Sequence, residues 1–326
     1  MEGAQVLAIL LGESQFQDTR SKQSWFCDPA ACEICSKPSS RLCCETHVGA
    51  SLMDRRSFLG TVTGAGLLAS RLTWAAEHKI EKIGLQLYTV RDAMKTDFDG
   101  TLAKVAATGY REVEFAGYFD HSPKGVKASL DRVGLVSPSA HFDNSYLGDK
   151  WPGVLESAKV IGQQYVVCSF IDEKTRQQPG IWPRMAEMFN RAGEAAHKAG
   201  LQFAYHNHSF EFPQVDGKVP YDLLLDNTDP NLVKFEMDLY WIANAGADPL
   251  AYFSRYPGRF HLVHVKGRAK SGEITEVKAD NAIDWKAIFA QSEKAGIQHY
   301  FVEQDKSNSP FDSIRTSFNY LRDLRF

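Results

Sequence analysis

From Ile83 onward, short runs rich in β-branched and aromatic residues alternate with amphipathic helical stretches, and the alternation is completed eight times. Eight βα units predict a parallel sheet whose last strand meets its first, a closed (β/α)8 barrel. The expected strands are Ile83 to Tyr88, Glu112 to Ala116, Val136 to His141, Tyr165 to Phe170, Gln202 to His206, Leu232 to Asp238, Phe260 to Val265 and His299 to Glu303. The helices expected between and after them include Thr101 to Ala107, Val126 to Val133, Val154 to Ile161, Pro183 to Ala199, Pro249 to Tyr256, Trp285 to Ala295 and Pro310 to Leu324. Gly109, Gly134, Gly200 and Gly296 mark helix ends, where glycine takes the left-handed cap without a Cβ penalty. After strand five, Phe210 to Val219 reads as a small hairpin around Asp216-Gly217 that overhangs the barrel mouth. Such a hairpin serves either as a lid for its own barrel or as a cap on a neighbour in a homo-oligomer.

The chain has 326 residues, and one α/β barrel takes about 250 of them. Residues 80–326 are assigned to the barrel, which leaves an N-terminal extension. Within it, Asp54-Arg55-Arg56-Ser57-Phe58-Leu59 precedes a mildly apolar, Gly-rich run from Gly60 to Ser70, and Thr73-Trp74-Ala75-Ala76 suits cleavage after Ala75. Residues 53–76 therefore resemble a twin-arginine export signal, and a periplasmic or otherwise exported protein is expected. The apolar run is too short to span about 30 Å of hydrocarbon, so no stable membrane anchor is expected. Residues 1–52 show no periodicity, and translation is expected to begin at Met53. Five of the 6 cysteines (Cys27, Cys32, Cys35, Cys43, Cys44) lie in that stretch, without the paired spacing of a zinc site. A net charge of -3 gives no basic field for nucleic-acid phosphates, so no nucleic-acid partner is expected.

Chemistry in this architecture gathers where the strands end, at the C-terminal mouth of the barrel. Strand six ends in Glu236-Met237-Asp238, strand seven in His264-Val265-Lys266 and strand eight in Glu303-Gln304-Asp305. Side chains alternate along a strand, so Phe235 and Met237 face the helices while Glu236 and Asp238 share the barrel interior. Two interior acids repel one another and resist ionisation unless a cation stands between them. Strand five adds Tyr205-His206-Asn207-His208, with His206 and His208 on one face and small Ala204 below. His206, Asp238, His264 and Glu303 are thus the expected ligands of one divalent metal ion. Mixed carboxylate and imidazole ligation suits manganese, cobalt, zinc or magnesium, and leans toward manganese or cobalt over magnesium.

Over Ile83 to Leu324 the chain resembles the xylose isomerase-like sugar phosphate isomerase/epimerase superfamily of TIM barrels. The segments that carry the likeness are GLQLYTVRD at Gly84, GYREVEFAG at Gly109, FAYHNHSFEF at Phe203, FEMDLYW at Phe235, HLVHVKG at His261 and FVEQD at Phe301. In the superfamily's ketose epimerases the ligands from strands five to eight are Glu, Asp, His and Glu, and the two Glu also carry the proton. Asp238, His264 and Glu303 match that pattern. The strand-five Glu does not: Tyr205 or His206 stands in its place, with His208 two residues on, so the carry-over leaves the fourth ligand open among them.

The resemblance implies a metal-dependent sugar isomerase or epimerase that acts on a small hydroxy-carbonyl substrate through an enediolate. Glu303 would be the first base; His208, His206 or Glu211 a second proton-handling group; and Lys266 the cation facing a developing oxyanion. Glu114, Tyr118, His141, Glu211 and Trp241 are the expected substrate contacts. With a single carboxylate base, the main alternative is a lyase or hydratase acting on keto-glycosides. A non-catalytic sugar-binding barrel is the reading that follows if the strand-five substitution disables the site. Endonucleases of abasic DNA share the architecture, but they need more metal ligands and a basic surface that this chain lacks.

Overall fold

Strands β1 (Ile83–Gln86), β2 (Glu112–Ala116), β3 (Val136–Phe142), β4 (Tyr165–Cys168), β5 (Gln202–His206), β6 (Val233–Asp238), β7 (Phe260–Val265) and β8 (His299–Val302) pair in parallel in chain order, and β8 closes on β1. The structure, a computed structural model, describes residues 77–326; the expectations for residues 1–52, for the export signal at 53–76 and for the five N-terminal cysteines lie outside them. The expected closed (β/α)8 barrel is what forms. Its two ends meet: His78 and Phe326 exchange backbone hydrogen bonds of 2.9 and 3.0 Å. No helix among the described residues is long and apolar enough to cross a membrane.

The period-2 pattern sorts side chains into two cores. Outward residues such as Val113, Phe115, Phe203, Tyr205, Phe235, Met237, Val263 and Val265 pack under the helices. A smaller cluster of Tyr165, Val167, Ala204, Leu262 and Phe301 is buried apart from it and plugs the barrel interior. Burying one such side chain is worth about 1.5–3 kcal/mol. Phe301 needs room: a Cβ on the facing Gly84 would lie 2.5 Å from its ring, so this β1 position requires glycine.

Several boundaries differ from the sequence expectation. β1 stops at Gln86, whose side chain accepts from the Tyr88 amide and starts a short 3-10 turn over Leu87–Val90. The stretch Trp285 to Ala295 is two helices, Trp285–Phe289 and Ser292–Ala295. Helices Arg91–Thr96, Glu173–Arg176, Pro220–Asp226 and Leu239–Asn244 were not expected, nor was the antiparallel pair Gly267–Arg268 with Ile274–Thr275 after β7. The turn at Asp216-Gly217 forms as expected, with positive φ at both residues and two hydrogen bonds between Val215 and Lys218. No residue from 210–219 lines the cavity itself, although Phe210 packs on His208 and Phe170, which do. Residues between Tyr88 and Phe170, with Trp241, Asp305 and Lys306, build much of the cavity wall.

Candidate active site

Register brings the strand ends level: His206 stands beside Glu236, Asp238 beside His264, and His264 beside Phe301, two residues before Glu303. One atom each from His206, Asp238, His264 and Glu303 lies within 4.8 Å of the others, and all four residues are buried. These are the four residues expected from sequence. Strand-five register separates Tyr205 from His206, while His208, the third alternative, lines the cavity beside His206. Tyr205 points outward against Phe189 and Phe235, whereas His206 points into the quartet.

Local structure fixes each group. Asp238 ends β6 and caps the helix Leu239–Asn244, with Oδ1 accepting from the Tyr240 and Trp241 amides at 2.9 Å. That capping turns Oδ2 inward, where it lies 3.5 Å from His206 Nε2 and 3.8 Å from His264 Nδ1. Glu303 Oε2 accepts from His264 Nδ1 at 3.0 Å. The other ring nitrogen, Nε2, reaches Glu114 Oε2 at 2.7 Å. Glu114 is itself held by Gln86 Nε2 at 2.8 Å and Ser139 Oγ at 2.6 Å. A metal-ligating imidazole characteristically gives its second N–H to such an anchored carboxylate.

Among the described residues, His206 Nε2 is buried without a hydrogen-bond partner and faces Asp238 Oδ2 at 3.5 Å. Buried polar atoms are normally paired, so an orphaned imidazole nitrogen aimed at a carboxylate marks room for a ligand between them. The donor set of two imidazoles and two carboxylates fits a divalent cation. The quartet is a candidate metal site on that ground.

Lys266 supplies the fixed positive charge. Its buried Nζ lies 2.7 Å from Glu303 Oε2, 2.9 Å from Asp238 Oδ2 and 3.1 Å from Asp305 Oδ2. Burial alone would lower the ammonium's pKa, but the three carboxylates hold it well above its ordinary value. Burial pushes the Asp238 carboxyl up, yet Lys266 and His206 bring it to about 2. Glu303 is likewise held well below the ordinary range, against its burial, by Lys266 and His264. Asp305 goes the other way: burial and the neighbouring Glu303 raise it to about 6. Beside His206 stands His208, with Nδ1 unpartnered and burial holding the imidazole well below its ordinary pKa and so neutral.

The cavity above this cluster encloses about 1130 Å3. His141, His206, His208, Tyr118, Trp241, Lys266 and Glu303 all line it. Trp241 presents an indole Nε1 without a partner, and Tyr118 presents its ring while its hydroxyl donates to Gln163. His141 is committed through Nε2 to Glu236 at 2.6 Å and Glu114 at 3.0 Å; burial alone would lower its pKa, but these carboxylates raise it to about 9.

Two expected substrate contacts do not reach the cavity. Glu114 lies beneath its floor, fully buried behind His141 and His264, because an interior position one layer below the strand end faces side chains rather than the mouth. Glu211 is also fully buried, bonded to the His208 amide and to the hydroxyl of Tyr205, a side chain that points outward from β5. Asp305 and Tyr146 line the cavity and were missed. Asp305 was legible as the residue two beyond Glu303, on the same face; Tyr146 sits in a loop with no periodicity to announce it.

The sequence model of the xylose isomerase-like TIM barrel family matches residues 102–324. An inosose dehydratase of Lacticaseibacillus casei is 26% identical over 267 residues, covering 69% of this chain and 88% of that protein. An inosose dehydratase of Clostridium perfringens (strain 13) is 32% identical over 244 residues, covering 68% and 79%. The crystal structure of a sugar phosphate isomerase/epimerase from Parabacteroides distasonis superposes with a TM-score of 0.66 at 27% identity, covering 74% of this chain and 93% of that one. With the family pattern spanning most of the barrel and the barrel itself closed, this chain belongs to the xylose isomerase-like TIM barrel family.

Proposed function

We propose that the protein is a metal-dependent lyase that removes a proton beside the keto group of a cyclic keto-sugar and expels a β-substituent, as in a dehydration. The observation that carries this reading is the asymmetry of the site. Of strands five and eight only the eighth brings a carboxylate to the quartet: Glu303 faces the cavity beside an ammonium, and the strand-five position where a second carboxylate would stand holds His206. Similarity to inosose dehydratases supports the same choice.

His206, Asp238, His264 and Glu303 would hold a divalent ion, which supplies polarisation of the substrate's keto and hydroxyl oxygens. Glu303 takes the proton from carbon. In doing so it loses its charge, and the Lys266 ammonium, 2.7 Å away, is freed to face the negative charge that develops on the keto oxygen. The electron pair of the broken C–H bond forms the C=C bond as the β C–O bond breaks. Asp305, raised to about 6, retains part of its proton near neutrality and gives it to the departing oxygen. Neutral His208 and the free Trp241 Nε1, whose ring lies beside the Lys266 ammonium, orient the ring hydroxyls. Isomerisation is the second reading, favoured by the likeness to a sugar phosphate isomerase/epimerase and by His208, which also lines the cavity as a group able to return a proton.

Incubation of the metal-loaded protein with an inosose and with other keto-sugars in D2O, followed by mass spectrometry, separates these readings. Loss of water is expected. Deuterium uptake without loss of water selects the isomerase, and neither, across manganese, cobalt, zinc and magnesium, overturns both and favours a sugar-binding barrel.

A further inference from the structure

The chemistry occupies only one end of the cavity. His206, His208, Lys266, Glu303 and Asp305 gather at the strand ends, while the far end runs over Phe142 and Tyr146 to the helix Trp151–Ile161. A one-ring sugar has about a dozen heavy atoms, whereas cavities of about 300–1,000 Å3 enclose drug-sized ligands. A volume near 1130 Å3 exceeds what one ring fills.

The surplus space has its own surface. Tyr118, Phe142 and Tyr146 form a continuous series, the first pair edge to face with ring centroids 5.7 Å apart and the second tilted by 54° at 5.4 Å. The Tyr118 hydroxyl is tied to Gln163 Oε1 at 2.9 Å, which fixes that ring. Lys150 Nζ lies over one face of the Tyr146 ring, 4.9 Å from its centroid, which leaves the other face for a ligand. On the facing helix, Gly153 leaves open space where a side chain would stand, and the Ser157 hydroxyl is spent on the Gly153 carbonyl. This end therefore offers ring faces and room, with Asp143 and Lys150 as its charged groups. It suits the apolar face of a second ring, which stacks on aromatic side chains without needing matched polar partners.

We infer that the shelf of Tyr118, Phe142 and Tyr146 is a second subsite that holds a ring joined to the reacting keto-sugar through a glycosidic oxygen. The full substrate is then a keto-glycoside, with the keto-ring over Glu303 and Lys266 and the attached ring over Tyr146. This inference rests on the reading of the polar end as a keto-sugar site. An aryl group and a second sugar both present such a face, so the two are compared directly.

The test measures kcat/KM of the metal-loaded full chain for a free keto-sugar, its phenyl glycoside and its glucosyl derivative, in wild type and Tyr146→Ala. At least one glycoside is expected to exceed the free keto-sugar about tenfold, mainly through KM, and Tyr146→Ala is expected to erase most of that ratio. Advantage for phenyl alone, glucosyl alone or both supports the shelf and identifies the ring it prefers. Equal values for all three substrates, or a ratio that Tyr146→Ala leaves intact, overturns it. If wild type turns over none of them, the reading of the polar end has failed and calorimetry decides the shelf separately. Phenyl glucoside should then bind about tenfold tighter than glucose in wild type and lose that margin in Tyr146→Ala; equal affinities overturn the shelf.

Discussion

Lys266 Nζ and Glu303 Oε2 lie 2.7 Å apart, both buried, with Asp238 and Asp305 completing a ring of three carboxylates around one ammonium. An interior charge of this kind is tolerable only while its counter-charges stay in place.

Lys266→Ala leaves three carboxylates facing one another without a counter-ion, which costs about 3–5 kcal/mol of stability in the metal-free protein. The same change removes the group facing the developing oxyanion, and turnover should fall about 100-fold or more. A divalent ion then replaces the missing charge, so added manganese should raise the variant's Tm more than that of wild type. Calorimetric scans with and without metal check this; an equal rise in both proteins would show that Lys266 and the ion do not share these carboxylates.

Glu114 is expected to act through His264. Its Oε2 accepts from His264 Nε2 at 2.7 Å, while Gln86 and Ser139 hold the carboxylate from the other side. Glu114→Gln keeps the shape and weakens the acceptor. Metal affinity should drop about 10- to 100-fold with the circular dichroism spectrum unchanged. Titration with manganese or zinc reads it out, and unchanged affinity would reduce Glu114 to a packing group.

Much of this site was legible because strands obey a period of two. His206, Asp238, His264 and Glu303 each fall on an inward position at or next to a strand end, and parallel register then places them at one height. Glu114 was legible as inward but not as subordinate, because period alone does not say how far below the mouth a residue sits. Glu211 and Tyr146 lie in loops, whose path depends on contacts such as Tyr221 amide to Glu211 carbonyl, made after the chain is folded. The short helix Leu239–Asn244 is a similar case. It exists because Asp238 caps it, so the same residue was read as a ligand and not as a helix start.

Gly84 limits what β1 can carry. An alanine methyl would stand 2.5 Å from the Phe301 ring and 3.1 Å from the Tyr300 carbonyl oxygen. The ring is enclosed by Tyr165, Val167, Ala204 and Leu262 and has no free path of retreat. Gly84→Ala should destabilise by about 1–3 kcal/mol in denaturant unfolding. Phe301→Leu in the same background opens space and should recover part of that loss; if the double variant is additive, the two residues do not interact.

Glu211 gives the fold a pH dependence that a substitution can isolate. Burial raises its carboxyl from 4.5 to about 7, although the Tyr205 hydroxyl and the His208 amide pull it back down. A carboxyl whose folded pKa exceeds its unfolded value contributes stability that is fully present below the unfolded value, near pH 4.5, and lost as the pH rises through about 7. The loss amounts to roughly 3 kcal/mol, since each pH unit between the folded and unfolded values is worth about 1.4 kcal/mol. Glu211→Gln stays neutral throughout and cannot lose it. Unfolding midpoints measured at pH 5 and pH 8 should therefore fall less in the variant than in wild type, and the difference between the two declines belongs to this one group because every other titrating residue is common to both. Parallel declines would mean that Glu211 ionises in the folded protein as easily as in the unfolded one, which its full burial, away from the cavity, argues against.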